Sequence, residues 1–184
     1  LICAAVITNS AVTIKDLRPE HLTMFFGKLS ETGASFDIRG KSVKVKPAGR
    51  RLKAVDIITE PYPGFPTDIQ AQWMALMSTA LGRSMITENI WENRFMHALE
   101  LARMGADIKI DGNTAVLEGV KKLSGADVMA SDLRASAALI LAGLAASGRT
   151  VIRRVYHLER GYECLDGKLK KLGAAIKSDS GGPA

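Results

Sequence analysis

The chain has 184 residues, is 47% hydrophobic and carries a formal net charge of +6 at pH 7, which predicts one soluble domain with a buried core. No membrane span or secretory leader is predicted, because the apolar stretch 135–146 is too short to cross a bilayer and residues 1–6 have no basic region before them. The charge favours an anionic partner, either nucleic acid or a phosphorylated metabolite, while an aromatic content of 5% disfavours binding of single strands by base stacking.

The first predicted elements are a helix, a strand, a second helix and a hairpin. Residues 1–7 are apolar on every side, which is typical of a buried helix, and a strand follows at 12–14. The second helix is amphipathic and ends at Gly33, which suits a left-handed cap. Its predicted buried face consists of Leu22, Phe25, Phe26 and Leu29. Alternating residues at 35–38 and 43–45 predict the hairpin.

The second stretch of chain repeats this order. A buried helix is predicted at 69–81 and an amphipathic helix ends at Gly105. The predicted buried face of the amphipathic helix consists of Phe95, Leu99 and Ala102. The predicted strands lie at 55–59, 84–87, 107–110 and 115–117.

A third repeat follows, with a strand at 127–130, a buried helix at 133–146 and a strand at 150–152. Its amphipathic helix ends at Gly173, and the predicted buried positions are Leu165, Leu169 and Leu172. The repeated unit is strand, buried helix, strand, amphipathic helix and hairpin. Three such units bury their inner helices only against one another, so we predict an α/β domain of pseudo-threefold symmetry with helices inside and sheets outside.

Polar pairs begin the second and third buried helices. Thr67 and Asp68 precede one helix, and Ser131 and Asp132 precede the other. These residue types are ordinary N-caps, because their oxygens accept hydrogen bonds from the first free amides of a helix. Arg134 adds a cation in the first turn of the third-unit helix, at a helix end that also favours anions, so the same position suits a polar ligand site.

Each amphipathic helix also begins near an arginine, at Arg18, Arg94 and Arg160. A cation at a helix N-terminus opposes the helix dipole, so helix stability does not explain these residues. For any one of them, solvated surface is the alternative. Three in equivalent places predict convergence on a multiply charged ligand, because the guanidinium fork binds phosphate and carboxylate with two hydrogen bonds.

Four linked motifs carry a family resemblance. They are PGFPTDIQAQ at 63–72, ENRFMH at 92–97, LSG at 123–125 with SDLRAS at 131–136, and ERGYE at 159–163. In order and spacing they resemble the UDP-N-acetylglucosamine enolpyruvyl transferases (UDP-N-acetylglucosamine 1-carboxyvinyltransferases). The resemblance implies a cytoplasmic enzyme that moves the enolpyruvyl group of phosphoenolpyruvate onto the 3-hydroxyl of UDP-N-acetylglucosamine, the first committed step of peptidoglycan synthesis.

The resemblance also implies a fold and a domain division. The fold is the inside-out α/β barrel with βαβαββ repeats, and residues 1–178 are expected to be one such domain, truncated at its start. Residues 179–184 are expected to be a flexible tail. The partner domain from the N-terminal half, which bears the family's lysine-asparagine pair and reactive cysteine, is expected to be missing, so the chain alone is expected to be inactive. The exposed cleft favours self-association.

Residue roles are likewise implied by position in the motifs. Asp68 matches the acid that contacts the sugar 3-hydroxyl and is proposed to remove its proton, and Ile90 matches the residue whose main chain holds the nucleotide sugar. Asp132 matches a second active-site acid. The matched arginines are Arg134 and Arg160, which face phosphoenolpyruvate in the family, and Arg94, a third arginine of the cleft.

The remaining reactive residue types predict no further chemistry. Cys3 and Cys164 are expected to be packing residues, and the three histidines lack the spacing of metal ligands. We therefore expect no metal and no cofactor, no nucleic-acid partner and no membrane association. Two alternatives stay open: an enzyme that transfers the same group to shikimate 3-phosphate, and a basic RNA-binding module on a similar repeat.

Overall fold

The structure is a computed structural model that describes residues 1–178, so the flexible tail predicted at 179–184 lies outside the described residues. The helices are α1 (Ile2–Ile7), α2 (Thr23–Glu31), α3 (Gln70–Met77), α4 (Met96–Arg103), α5 (Leu133–Ala145) and α6 (Leu165–Lys171). The strands are β1 (Val12–Ile14), β2 (Ser35–Arg39), β3 (Ser42–Lys46), β4 (Ile57–Ile58), β5 (Arg83–Thr87), β6 (Asp107–Asp111), β7 (Thr114–Glu118), β8 (Asp127–Met129) and β9 (Val151–Arg153). Short 3-10 helices occupy Pro19–Leu22, Thr67–Ile69 and Val155–Arg160.

The strands form separate sheets, one for each predicted unit. Their orders are β1-β3-β2, β4-β5-β7-β6 and β8-β9. The two predicted hairpins are present as the antiparallel pairs β2/β3 and β6/β7. Strands β4 and β5 pair in parallel across helix α3, and β8 and β9 pair in parallel across helix α5. The repeated order of strand, buried helix and strand is therefore confirmed.

The core lies between the helices α1, α3 and α5, which pack against one another. Helix α3 is buried on all sides because its residues are apolar all round, with Trp73 and Met74 both fully enclosed. In α5, the residues Ala138 and Leu139 are equally enclosed. Strand β3 presents Val43 and Val45 to this core and exposes the alternate residues Lys44 and Lys46. The prediction of helices inside and sheets outside is confirmed.

The first amphipathic helix buries Phe25, Phe26 and Leu29 as predicted, while the other two depart from prediction. Leu99 is 69% exposed in α4, and the buried stripe runs instead through Ala98 and Leu101. Ala102 is also exposed. Both stripes begin at Phe95, so the sequence spacing alone did not separate them. In the third unit Leu169 is buried as predicted, while the predicted Leu172 is exposed and lies beyond the end of α6.

Glycines end these helices as the sequence indicates, with φ of +80° at Gly33 and +89° at Gly105. Helix α3 ends four residues before the predicted end at residue 81. The hydroxyl of Ser78 donates to the main-chain carbonyl of Met74 at 2.9 Å, which satisfies one carbonyl of the last helical turn.

Arg51 joins the end of the second buried helix to the chain that follows strand β7. Its guanidinium donates four hydrogen bonds to main-chain carbonyls. The acceptors are Thr79, Ala80, Gly119 and Val120, at 2.8 to 3.2 Å. Gly119 allows this approach, since a Cβ on it would lie 1.6 Å from the carbonyl oxygen of Ala80.

The two cysteines lie in different environments. Cys3 is buried in α1, and burial raises the pKa of its thiol to about 11, so its packing role is confirmed. Cys164 is exposed at the N-terminus of α6 with φ of +42°, so the packing role predicted for it is wrong. Leu165, not Cys164, begins the helix.

Candidate active site

Two buried helices begin side by side, and their first residues form a charged cluster. The 3-10 helix Thr67–Ile69 leads into α3, and Asp132 is the N-cap of α5. Arg134 is the second residue of α5. Because α3 and α5 pack along each other, their N-terminal ends bring Asp68 and Arg134 into contact.

Asp68 lies between two guanidinium groups. Its Oδ1 accepts a hydrogen bond from Nε of Arg134 at 2.8 Å and lies 3.8 Å from a terminal nitrogen of Arg94. The Asp68 side chain is 72% exposed, so a ligand can reach the carboxylate from solvent. Exposed ion pairs contribute little to folding, about 0–1 kcal/mol. The arrangement fits a carboxylate that is oriented by its neighbours and open to a substrate.

Arg94 is more enclosed than Asp68 or Arg134, with its side chain 17% exposed. Burial and the neighbouring Arg134 guanidinium lower the pKa of Arg94 below its ordinary value. One of its terminal nitrogens is buried and has no hydrogen-bond partner within residues 1–178. The guanidinium lies 5.6 Å from the ring centroid of Trp91, a cation-π contact. An unsatisfied cation of this kind favours an anionic ligand.

The carboxylate of Asp132 accepts hydrogen bonds from the first amides of the helix that it caps. Its Oδ1 accepts from the amides of Arg134 at 2.8 Å and Ala135 at 3.1 Å, and the Ser131 hydroxyl donates to Oδ2 at 3.1 Å. Burial opposes ionisation, but these hydrogen bonds outweigh it and hold the pKa of Asp132 below its usual value. The N-cap alternative is therefore what the geometry shows for Asp132.

His97 lies close enough to Asp132 and Arg94 for their charges to act on its imidazole. The ring is buried in α4, and burial lowers its pKa to about 4. Nε2 has no hydrogen-bond partner among the described residues. A neutral imidazole is thus buried beside the charged cluster.

Ile90 lies in the turn after β5, and its main-chain amide already donates a hydrogen bond within the protein. The amide donates to Oε1 of Glu88 at 2.9 Å, and the amide of Trp91 donates to the same oxygen at 3.2 Å. Any main-chain contact of Ile90 with a ligand must therefore use its carbonyl. Glu88 itself is buried and was missed from sequence, because a single acid after a strand forms no pattern with other residues.

Arg160 is exposed at the end of a 3-10 helix, and it makes no ion pair within residues 1–178. Its neighbour Gly161 packs against Leu133 so closely that a Cβ there would lie 2.9 Å from a leucine methyl carbon. This contact places Arg160 beside the start of α5, but Arg160 forms no ion pair with Asp68. Arg18 is also exposed, so of the three helix-starting arginines only Arg94 meets the acid.

Tyr162 is a further residue of this region that the sequence analysis did not assign. Its hydroxyl accepts a hydrogen bond from the side-chain amide of Gln72 at 3.3 Å, which links the chain after Arg160 to α3. Burial raises the pKa of Tyr162, and the charge of Asp68 adds to this effect. Among residues 1–178 no three His, Cys, Asp or Glu side chains group as metal ligands, and no helix there is long and apolar enough to cross a membrane.

Comparison with known proteins gives one consistent match. Residues 1–178 match the family described as EPSP synthase (3-phosphoshikimate 1-carboxyvinyltransferase). Curated proteins named UDP-N-acetylglucosamine 1-carboxyvinyltransferase, from Desulfosudis oleivorans and Geobacter metallireducens, are each 58% identical over 174 residues, which is 95% of this chain and 42% of the relative. The chain therefore spans less than half the length of these relatives.

A solved structure shows the same fold. The enolpyruvyl transferase NikO from Streptomyces tendae superimposes with a TM-score of 0.88 at 34% identity, over 96% of this chain and 42% of that chain. The prediction of an inside-out α/β barrel is confirmed by this likeness together with the buried helices α1, α3 and α5.

Proposed function

We propose, from the premise that the chain belongs to the EPSP synthase family, that it is part of a UDP-N-acetylglucosamine enolpyruvyl transferase. In that reaction the sugar 3-hydroxyl oxygen bonds to C2 of phosphoenolpyruvate and loses its proton, and the phosphate leaves as the enol ether forms. The observation that carries the proposal is the exposed Asp68 carboxylate, held between Arg94 and Arg134 at the start of two buried helices.

Asp68 is proposed as the base for the sugar hydroxyl. Its carboxylate is open to solvent and oriented by the Arg134 hydrogen bond, so a hydroxyl can approach its free lone pairs. A positioned general base contributes roughly 10²–10⁴ in rate. The Arg134 hydrogen bond also fixes the orientation of the carboxylate.

The arginines are proposed to bind the anionic substrate. Arg94 has a buried nitrogen that makes no hydrogen bond within residues 1–178, and Arg134 keeps donors that Asp68 does not use. Fixed cations of this kind stabilise charge that develops in a transition state without reorganising. Arg160 is proposed to face phosphoenolpyruvate together with Arg134, which requires its exposed side chain to turn toward Arg134. Arg94 is proposed as a third arginine of the cleft.

Asp132 and Ile90 receive narrower roles. Asp132 is proposed as a second active-site acid whose capping bonds keep it ionised and orient Arg134 through the first turn of α5. Ile90 is proposed to hold the nucleotide sugar through its main chain, with its carbonyl as the contacting group because its amide is held by Glu88.

The identity of the acceptor is supported by sequence rather than by fold. The family description names a shikimate enzyme, while relatives at 58% identity are named for UDP-N-acetylglucosamine. The match at that level covers 95% of this chain, so the sugar nucleotide is the favoured acceptor and shikimate 3-phosphate the alternative.

The chain is proposed to act together with a further domain. We propose residues 1–178 as one domain of a cytoplasmic enzyme that takes UDP-N-acetylglucosamine and phosphoenolpyruvate, with a cysteine-bearing domain as its partner. The site cluster is open on one side, with Asp68 largely exposed, so the chain alone is expected not to turn over and to self-associate through this face.

The test uses a full-length chimaera in which this chain replaces the matching part of the Geobacter metallireducens relative. Phosphate release is measured with phosphoenolpyruvate and either UDP-N-acetylglucosamine or shikimate 3-phosphate. Turnover with the sugar nucleotide alone supports the proposal, and the isolated chain is the control expected to be inactive. Turnover with shikimate 3-phosphate alone, or with neither acceptor, contradicts the proposal.

A further inference from the structure

Glu88 joins the two parts of the site that the sequence treated as separate. It follows β5 and is 3% exposed, yet both of its carboxylate oxygens are satisfied. It accepts four hydrogen bonds, from the hydroxyls of Thr59 and Thr67 and from two main-chain amides. A buried carboxylate costs several kcal/mol unless it is fully hydrogen-bonded. The four hydrogen bonds therefore offset the cost of burying Glu88.

One oxygen shapes the turn that carries Ile90. Oε1 accepts from the Ile90 amide at 2.9 Å, from the Trp91 amide at 3.2 Å and from the Thr59 hydroxyl at 2.8 Å. The Thr59 oxygen in turn accepts from the Asn89 amide at 2.9 Å, so its hydroxyl proton is directed at Glu88. These bonds close the turn around the carboxylate and use the Ile90 amide, so the Ile90 carbonyl is the main-chain group left for a ligand.

The other oxygen holds the residue before the proposed base. Oε2 accepts from the Thr67 hydroxyl at 2.9 Å, and Thr67 begins the 3-10 helix that carries Asp68. Asp68 is anchored on its far side by Arg134. The position of the Asp68 carboxylate is thus set from two sides, by Arg134 through the side chain and by Glu88 through the preceding residue.

We propose that Glu88 is a positioning residue that fixes the Ile90 turn and the Asp68 base relative to one another, so that one bound acceptor meets both. The inference rests on the proposed function and deepens it. Glu88 touches neither substrate in this arrangement. Its loss is therefore expected to raise KM for UDP-N-acetylglucosamine and to lower kcat, while KM for phosphoenolpyruvate, which is bound by the arginines, stays unchanged.

Two substitutions in the full-length chimaera separate the two oxygens. Thr67→Val removes the bond to Oε2 with little change of shape, so kcat is expected to fall about tenfold or more because the base shifts, while KM for the acceptor is unchanged. Glu88→Leu removes every bond and is expected to raise the acceptor KM about tenfold and lower kcat on the order of 10²-fold. Hydrogen exchange at the Ile90 and Trp91 amides reports the turn directly: protected in Thr67→Val and unprotected in Glu88→Leu.

Glu88→Gln is the conservative rescue. Its carbonyl oxygen accepts the three bonds made to Oε1, and its amide donates to the Thr67 oxygen, so activity within about threefold of wild type is expected. Glu118→Gln, at the exposed end of β7, is the matched control and is expected to behave as wild type. Should Glu88→Leu fail to fold, the Thr67→Val and Glu88→Gln results decide.

Three results overturn the inference: equal rises in both KM values for Glu88→Leu, unchanged kcat for Thr67→Val, or a Glu88→Gln variant as impaired as Glu88→Leu. A wild-type chimaera that does not turn over phosphoenolpyruvate and UDP-N-acetylglucosamine is a different failure. It overturns the proposed function, and the positioning role falls with it.

Discussion

Nε of Arg134 lies 2.8 Å from Oδ1 of Asp68, although the two residues are 66 positions apart in sequence and begin different buried helices. The contact exists because α3 and α5 pack side by side and both begin at the same end. The side chains are 33% and 72% exposed, so the pair contributes little to stability. Its consequence is chemical: an acid of the second unit is oriented by a cation of the third.

Replacing Asp68 by Asn is expected to lower kcat of the full-length chimaera by roughly 10²–10⁴, the usual contribution of a positioned base. The amide oxygen of Asn still accepts the Arg134 hydrogen bond, so the thermal midpoint is expected to stay at the wild-type value. Phosphate release and a thermal melt check the two parts. Asp107→Asn on β6, also exposed, is the control, and wild-type turnover in Asp68→Asn removes this residue as the base.

The repeat could be read from sequence because a helix buried on every side must be apolar all round. Trp73 and Leu139 lie in such helices, and both are fully enclosed as expected. The face of α4 could not be read, since Phe95 begins two stripes of helical spacing and only the neighbouring helices select Ala98 and Leu101 over Leu99.

The sequence predicted which residues belong to the site but not which of them contact one another. Asp68, Arg94 and Arg134 were each identified, but their meeting depends on the packing of α3 against α5, which no local pattern encodes. Arg160 was expected in the same cluster, and its guanidinium instead faces solvent. Glu88 gave no signal, because its two side-chain donors, Thr59 and Thr67, lie 29 and 21 positions before it in the chain.

The N-cap role of Asp132 predicts a pH-dependent loss of stability. Asp132→Ala is expected to lower the free energy of unfolding of the chain by about 1 kcal/mol at pH 7, with a smaller loss for Asp132→Asn, which still caps. The folded pKa lies below the unfolded value of 3.8. The contribution is therefore present above that value and disappears as pH falls through the folded pKa.

Urea unfolding of the chain at pH 7 and pH 3 measures this difference. The gap between wild type and Asp132→Ala should narrow at the lower pH. A gap that is equal at both values, or an Asp132→Asn variant as unstable as Asp132→Ala, contradicts the capping role.

The buried imidazole of His97 predicts a second loss of stability on acidification, at higher pH. Its pKa is about 4 in the folded chain against an ordinary value of 6.5, so the unfolded state binds the proton first. Stability is complete above pH 6.5 and declines as pH falls toward 4, by about 3 kcal/mol over that window. Urea unfolding between pH 7.5 and pH 4.5, spanning most of the window in steps of about half a unit, measures the slope.

His97→Gln removes the titrating group and is expected to flatten the stability curve between pH 6.5 and pH 4, whatever its effect at pH 7. The exposed His21 provides the matched control, because His21→Gln removes a histidine without touching the buried site. An unchanged slope in His97→Gln shows that other groups cause the acid sensitivity.

Replacement of glycine by alanine is expected to have opposite effects on stability at Gly119 and at Gly167. A Cβ on Gly119 would lie 1.6 Å from the main-chain oxygen of Ala80, where Arg51 also binds, so the strand and the helix end must separate. Gly119→Ala is expected to destabilise the chain by more than about 3 kcal/mol, the upper end of ordinary overpacking. Gly167 lies within α6, and its nearest neighbour would be 3.8 Å away, so Gly167→Ala is expected to stabilise by roughly 0.5–1 kcal/mol.

Urea unfolding of the two variants at neutral pH separates these effects. If Gly119→Ala forces Gly119 and Ala80 apart, the hydrogen bonds from Arg51 to their carbonyls are expected to be lost as well. Arg51→Lys in the Gly119→Ala background is then expected to add little, whereas in the wild-type chain it removes most of the four hydrogen bonds and is expected to cost about 2 kcal/mol. Additive losses from the two substitutions would mean that Arg51 and Gly119 stabilise the unit independently.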